Sequence, residues 1–330
     1  MEAMTMLVLG FQLLALFSIA GALLIYLICK VREDSASANA HSHPNRVVLI
    51  TSADTALGLQ LCTHLANKGY RVFAGMKEAQ DSLPAKLLCG WMKIREYSEE
   101  PIAGTIIPMR LDVTREDVLR EATVIIGANL NANERGIAAV INTSGSVFRG
   151  QVESQNVQQW EHMLRTNILG TLRVAKAFVC FLRPTRGRLL YLGGVSGGGN
   201  ARNGGDGLVA FNASRVAVDK CAEELRKELH PYGVSVVALD TCGMTAESLY
   251  KAPVAQTMSL VVGAPTQYTA DVLSPDALHV IERALWDYVP QQRYALQSHN
   301  KYQFALPCRS SLRLQMPVAS TVGENASQSV

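Results

Sequence analysis

The stretch Thr51-Ser52-Ala53-Asp54-Thr55-Ala56-Leu57-Gly58 places three hydroxyls, one carboxylate and one glycine between two apolar segments. Val47-Val48-Leu49-Ile50 before it is short, apolar and β-branched, as a strand buried on both faces should be. Leu57, Leu61 and Leu65 follow at helical spacing, and Gly69 ends the run. A turn from strand into helix can hold a phosphate, because the helix N-terminus offers unpaired amides and the positive end of its dipole. Nucleotide-binding turns of this kind use glycines for a tight bend, for close approach of the pyrophosphate and for close helix–strand packing. Metal chemistry has less to stand on. His41 and His43 have no partner pair nearby, and the seven cysteines (29, 62, 89, 180, 221, 242 and 308) show no CxxC spacing, so no metal is expected. An odd, scattered set of thiols fits reduced, structural residues in a cytosolic domain.

Around this turn, apolar and helical patterns alternate. Residues 70–74, 105–111, 138–142, 188–192 and 234–239 read as strands, and 115–129, 157–183 and 210–229 as helices. Repeated βα units with near-continuous apolar strands imply an α/β fold: a parallel sheet, doubly wound, with helices on both faces.

In this setting the turn resembles that of the short-chain dehydrogenase/reductase family, Thr-Gly-x-x-x-Gly-x-Gly. Thr51 and Gly58 match it, while Ser52 and Ala56 replace two glycines. A side chain where positive φ is required would cost about 1–2 kcal/mol. One that only crowds the pyrophosphate would cost affinity instead. Further partial matches run through residues 47–306 in the family's order. Asp112-Val113 resembles the adenine-contacting pair, Asn142-Thr143-Ser144-Gly145 resembles Asn-Asn-Ala-Gly, and Asn167 matches the asparagine that holds a water in the family's proton relay. The resemblance implies a single Rossmann-like domain over 47–307 and binding of NADP or NAD through Thr51, Ser52, Ala56, Gly58, Met76, Lys77, Asp112, Val113, Asn142, Gly145 and Arg215. NAD-preferring members carry an acid where this chain has Met76 followed by Lys77. Lys77 would favour a 2′-phosphate or would be an exposed lysine with no nucleotide role. The family's later Pro-Gly pair is replaced within Asp240-Thr241-Cys242-Gly243.

The family's chemistry uses a serine, a tyrosine as general acid or base, and a lysine four residues on, so that one helix face presents both. Here Phe211 stands for the tyrosine, Arg215 for the lysine and Gly194 for the serine. Phe211 has no ionisable proton. Arg215 keeps a positive charge and several donors with which to grip ribose hydroxyls. Losing a general acid costs about 10²–10⁴-fold and an oxyanion donor about 10²–10³-fold, so family-type hydride transfer should be weakened or lost. Ser196 is a candidate substitute for the serine or an ordinary loop residue, and Tyr191 lies within a strand and reads as core. Residues 197–207 hold six glycines in eleven positions, which predicts a mobile loop over the site.

The ends and the composition set the cellular context. Leu7 to Cys29 is an apolar run interrupted by Gln12 and Ser18. Roughly 20 such residues span a bilayer as a helix. The run is longer than a signal-peptide core, and its basic flank, Lys30 and Arg32, follows it. A single-pass anchor over 1–30 is therefore expected, with the rest of the chain facing the cytosol from the endoplasmic reticulum or another intracellular membrane. The sequons at Asn142, Asn212 and Asn325 would then go unused. Residues 31–46 read as a polar linker and 308–330 as a flexible tail. With 330 residues, 48% apolar, 18% charged and a net charge of +3, the chain is neither a disordered protein nor a polyanion binder, and no nucleic-acid partner is expected. The anchor and the phrase Arg71-Val72-Phe73-Ala74-Gly75 resemble the steroid and retinol dehydrogenase group. That implies an apolar, steroid- or retinoid-like ligand in steroid or lipid metabolism, with steroid-hormone or ecdysteroid biosynthesis as the narrower setting. The alternative is a non-catalytic nucleotide- or ligand-binding scaffold at the membrane; either admits a homo-oligomer.

Overall fold

The computed structural model describes residues 12, 14–28, 30, 46–96, 104–193, 207–241, 244–256, 267–269 and 272–296. Helical residues 14–28 (α1) are exposed apart from Gly21, with Leu14, Phe17 and Ile25 among the uncovered apolar side chains. Among the described residues no helix is long and apolar enough to cross a membrane. Leu7 to Phe11, Leu13 and Cys29, which belong to the expected anchor, lie outside the described residues, as do 31–45 and 308–330.

Strands β1 (Val47–Ile50), β2 (Arg71–Met76), β3 (Thr105–Arg110), β4 (Ala139–Asn142), β5 (Arg188–Leu192) and β6 (Ser235–Asp240) form one sheet with the short β9 (Arg293–Ala295). The order is β3-β2-β1-β4-β5-β6-β9, and every neighbouring pair is parallel. The order reverses between β1 and β4, so the crevice at the C-terminal ends of these strands is the switch point where such sheets bind ligands. β1 and β4 are buried along their whole length, and β2, β5 and β6 beyond their first residue, because side chains alternate between two covered faces. Val48 and Ile50 join one core with Leu57, Leu61 and Leu65 of α2 (Ala56–Asn67), Leu88 of α3 (Leu83–Glu96) and Ile281 of α9 (Pro275–Trp286). Val47 and Leu49 join the other with Ile126 of α4 (Glu116–Asn129), Phe178 of α6 (Gly170–Leu182) and Val218 of α7 (Val209–Leu229). Full burial of each such side chain contributes about 1.5–3 kcal/mol.

The helix expected over 157–183 is not uniform. It runs as α5 (Val157–Leu164), a π-helical turn at Arg165–Leu169, and then α6. The sequence patterning leaves α3, α9 and β9 unpredicted. Beyond β6 the chain forms the single-turn α8 (Ala246–Tyr250) and a small antiparallel pair, β7 (Val254–Gln256) with β8 (Gln267–Thr269).

Candidate functional site

The turn after β1 is built from hydroxyls. Thr55 caps α2, its side chain accepting from the Gly58 amide at 3.0 Å and donating to the Ser52 carbonyl at 3.0 Å. Gly58 lies so near the turn that a Cβ there would meet the Ser52 carbonyl carbon at 2.7 Å and Ala53 Cα at 2.8 Å. The glycine that matches the family is thus the one that packing demands. Among the described residues Arg186 is the only non-glycine with positive φ. Ser52 and Ala56 therefore sit in ordinary backbone, and their side chains bear on ligand approach rather than on strain.

A chain of buried hydroxyls and amides joins this turn to the next two strand ends. Thr51 Oγ1 donates to Asn142 Oδ1 at 2.8 Å and lies 2.7 Å from the Ser144 hydroxyl, which is 2.9 Å from that of Ser52. Asn142 Nδ2 donates to Thr171 Oγ1 at 3.0 Å, and Thr171 donates to the Asn167 carbonyl at 2.7 Å. Asn167 lies in the π-helical turn and is buried. Asn167 Oδ1 accepts from the Ser146 amide at 2.8 Å, and its Nδ2 donates to the Ser146 carbonyl at 3.1 Å and the Ser214 hydroxyl at 2.9 Å. The side chains of Thr51, Ser52, Asn142, Ser144, Asn167, Thr171 and Ser214 are thus all partnered, while the buried hydroxyls of Thr143 and Ser146 beside them have no partner among the described residues.

A cleft of about 220 Å³ opens over the turn. Of the expected cofactor residues, Thr51, Ser52, Lys77, Asp112, Val113 and Gly145 line it. Ala56, Gly58, Met76, Asn142 and Arg215 do not; Met76 is fully buried beneath the cleft, and Arg215 is 3% exposed. Asp54, Thr114 and Thr166 line the cleft without having been singled out, and the buried Thr166 hydroxyl has no hydrogen-bond partner. Burial works to raise the Asp112 carboxyl, but the Thr114 hydroxyl and amide and the Lys77 charge hold it below its ordinary value. Asp54 goes the other way: burial raises it against the pull of Lys77. Val113 packs on the start of α6, where a Cβ at Gly170 would meet its Cγ2 at 2.8 Å.

The far end of the cleft is closed by a residue that sequence reasoning missed. Phe211 is 2% exposed and stands edge-on to Tyr250, with ring centroids 6.2 Å apart and planes at 77°. Arg215 donates from Nη1 to the Tyr250 hydroxyl at 3.0 Å and from Nη2 to the Gly193 carbonyl at 2.6 Å. A Cβ on Gly145 would lie 2.5 Å from the Tyr250 hydroxyl oxygen, so the ring rests directly on that glycine. Burial raises the Tyr250 phenol, and the Arg215 charge opposes the rise. Gly194 and Ser196 lie outside the described residues, as do Cys242, Gly243 and the glycine-rich loop up to residue 206. The structure thus brings Asn167, Phe211 and Arg215 to one end of the crevice and adds Tyr250 to them.

These residues fit one half of a nicotinamide dinucleotide. The Lys77–Asp112–Thr114 side is open, and the unpartnered Thr166 hydroxyl on the wall can bond a ligand. The Gly145 side does not fit as the chain stands, because the Tyr250 ring fills it.

The chain matches the short chain dehydrogenase family over residues 46–256. It is 24% identical to the mitochondrial D-beta-hydroxybutyrate dehydrogenase of Rattus norvegicus over 258 residues, which is 77% of this chain and 64% of that protein. It is 27% identical to human 17-beta-hydroxysteroid dehydrogenase type 2, over 60% of this chain and 47% of that one. Retinol dehydrogenase 16 of Mus musculus is 26% identical over 59% of this chain and 56% of its own length. The chain thus spans less than two thirds of the curated relatives it matches. Among solved structures, a short chain dehydrogenase from Burkholderia cenocepacia in complex with NADP shares the fold, with a TM-score of 0.52 and 19% identity over 77% of this chain and 89% of that one. With its strand order, its hydroxyl-lined turn and this match over most of the domain, the chain belongs to the short chain dehydrogenase family.

Proposed function

We propose that this protein is a membrane-anchored, dehydrogenase-like member of steroid or lipid metabolism that binds an adenine nucleotide and has lost the family's Ser-Tyr-Lys hydride transfer. The observation that carries the proposal is Phe211. It occupies the first turn of α7, buried and edge-on to Tyr250, with no proton to give. Arg215 one turn on is committed to the Tyr250 hydroxyl and the Gly193 carbonyl, leaving less of its fork for a ribose. The steroid and retinol dehydrogenase relatives support an apolar ligand of that class, with steroid-hormone or ecdysteroid biosynthesis as the narrower setting. The apolar run Leu7 to Cys29, followed by Lys30 and Arg32, supports an anchor in the endoplasmic reticulum or another intracellular membrane, with a domain over 47–307 facing the cytosol.

A non-catalytic scaffold is the second reading, and the ring of Tyr250 on Gly145 favours it. One experiment addresses both. The wild-type chain and the triple variant Gly194→Ser/Phe211→Tyr/Arg215→Lys are assayed with NADH and NADPH on a panel of ketosteroids and retinal. The wild type should show no turnover, and the restored variant should gain carbonyl reduction if the apolar pocket has persisted. Wild-type turnover that survives Ser196→Ala and Arg215→Ala would overturn the assignment.

A further inference from the structure

The cleft is smaller than most small-molecule sites, about 220 Å³ against the roughly 300–1,000 Å³ usual for ligand pockets. The missing volume lies at one end. In a doubly wound sheet a dinucleotide crosses the switch point, with its pyrophosphate at the first helix N-terminus, one ribose beside the end of the second strand and the other half over the fourth. Lys77 and Asp112, after β2 and β3, face the open half. Gly145, just after β4, lies under the other half, and there the chain covers itself.

We infer that residues 245–252 form a strap that occupies the nicotinamide half of the cleft with the Tyr250 ring, so that an adenine mononucleotide fits the chain as it stands and a dinucleotide fits only when the strap lifts. This rests on the proposal that the cleft binds an adenine nucleotide. Five contacts, made by the strap residues Glu247, Tyr250 and Lys251, hold it in place. The Tyr250 ring lies on Gly145, a contact that any side chain at 145 would prevent. The Tyr250 hydroxyl accepts from Arg215 at 3.0 Å, and the ring is edge-on to Phe211. The Lys251 carbonyl accepts from the Ala56 amide at 2.9 Å. On the outer side, Glu247 pairs with Arg149. Phe211 is part of the same arrangement: the residue that removes the family's proton donor supplies the aromatic edge that seats the strap.

A closed strap acts on dinucleotide affinity alone, because the binding-competent state is then a fraction of the molecules. A strap open in about one molecule in ten raises the apparent Kd about tenfold. The test is calorimetric titration of the full chain with AMP and with NADH, in the wild type, Tyr250→Ala and Glu247→Arg. Glu247 lies outside the cleft, so E247R loosens the strap without altering the lining and carries the test if Y250A fails to fold. AMP should bind all three forms alike. NADH should bind Y250A about tenfold more tightly than the wild type, with E247R shifted the same way by less. AMP binding with NADH affinity unmoved by either variant would overturn the strap and leave nucleotide binding standing. Equal improvement for AMP and NADH would also overturn it. Binding of neither nucleotide to any form would remove the nucleotide reading and the strap with it.

Discussion

Replacing Asn167 by alanine tests whether the polar cluster under the cleft is architecture in its own right. The side chain is 1% exposed and bonds both backbone groups of Ser146 and the Ser214 hydroxyl, at 2.8, 3.1 and 2.9 Å. Truncation strands the Ser146 amide and carbonyl, each costing about 1–3 kcal/mol when buried and unpaired. Ser146 is half-buried and water reaches it in part, so the lower half of that range applies. Ser214 is less affected, because its hydroxyl keeps its own bond to the Phe211 carbonyl at 2.7 Å. The sum is about 3 kcal/mol, and in a domain of this size that lowers Tm by about 6–12 °C. The assay is thermal unfolding of Asn167→Ala, Ser214→Ala and the double variant without nucleotide. The two single losses should exceed the double by about 1 kcal/mol, the worth of the bond they share. A shift in Asn167→Ala of under about 2 °C, or strict additivity, would refute the bonding scheme. The loss should appear in the absence of any cofactor, because the bonds are made within the chain itself.

Gly58→Ala should leave the chain unable to fold or strongly destabilised, by more than the roughly 1–3 kcal/mol of ordinary overpacking, since its Cβ would meet backbone at 2.7 and 2.8 Å. Gly170→Ala should cost less, because the atom it meets is a Val113 methyl that can turn; circular-dichroism melts of the two variants decide the order. For pH, the Asp54 carboxyl is raised in the folded state by burial, so folding disfavours its charged form. Its effect is therefore a loss of stability as pH rises through the unfolded and then the folded pKa, and Asp54→Asn should raise Tm at pH 7. That gain should vanish below about pH 4, where the carboxyl is protonated in either state. Asp112 has the opposite sign. Its folded pKa is lowered despite burial, so its contribution is present at neutral pH and fades as pH falls through the folded value, and Asp112→Asn should lower Tm at pH 7. Equal responses of the two variants to pH would contradict both assignments.

The strands were legible because parallel strands buried on both faces leave apolar runs that nothing else explains, as at Val47–Ile50. α9 announced itself through Ser274-Pro275, a cap followed by a first-turn proline, and could have been read. β9 could not, since three residues at a sheet edge carry too little pattern. The π-helical turn at Arg165–Leu169 has no compositional mark, because one extra residue in a helical turn leaves the apolar spacing nearly intact. The question left open at Ser52 and Ala56 needed backbone angles. The substitutions at Phe211 and Arg215 were readable from spacing, but their consequence was not. Tyr250 lies 35 residues from Arg215 in sequence, and only the folded chain shows the two bonded.

The sheet order also sets where the molecule opens. β1 and β4 pair at its centre, and their residues are buried throughout. Their amides have no local route to solvent, so native-state hydrogen exchange there should follow global unfolding. The strap is held by a few contacts and lies beyond β6, so its amides should exchange through a smaller opening. Deuterium uptake followed from β1 and β4 out to residues 245–252 thus forms a depth gauge. At the shallow end it measures, with no nucleotide added, how often the crevice stands open.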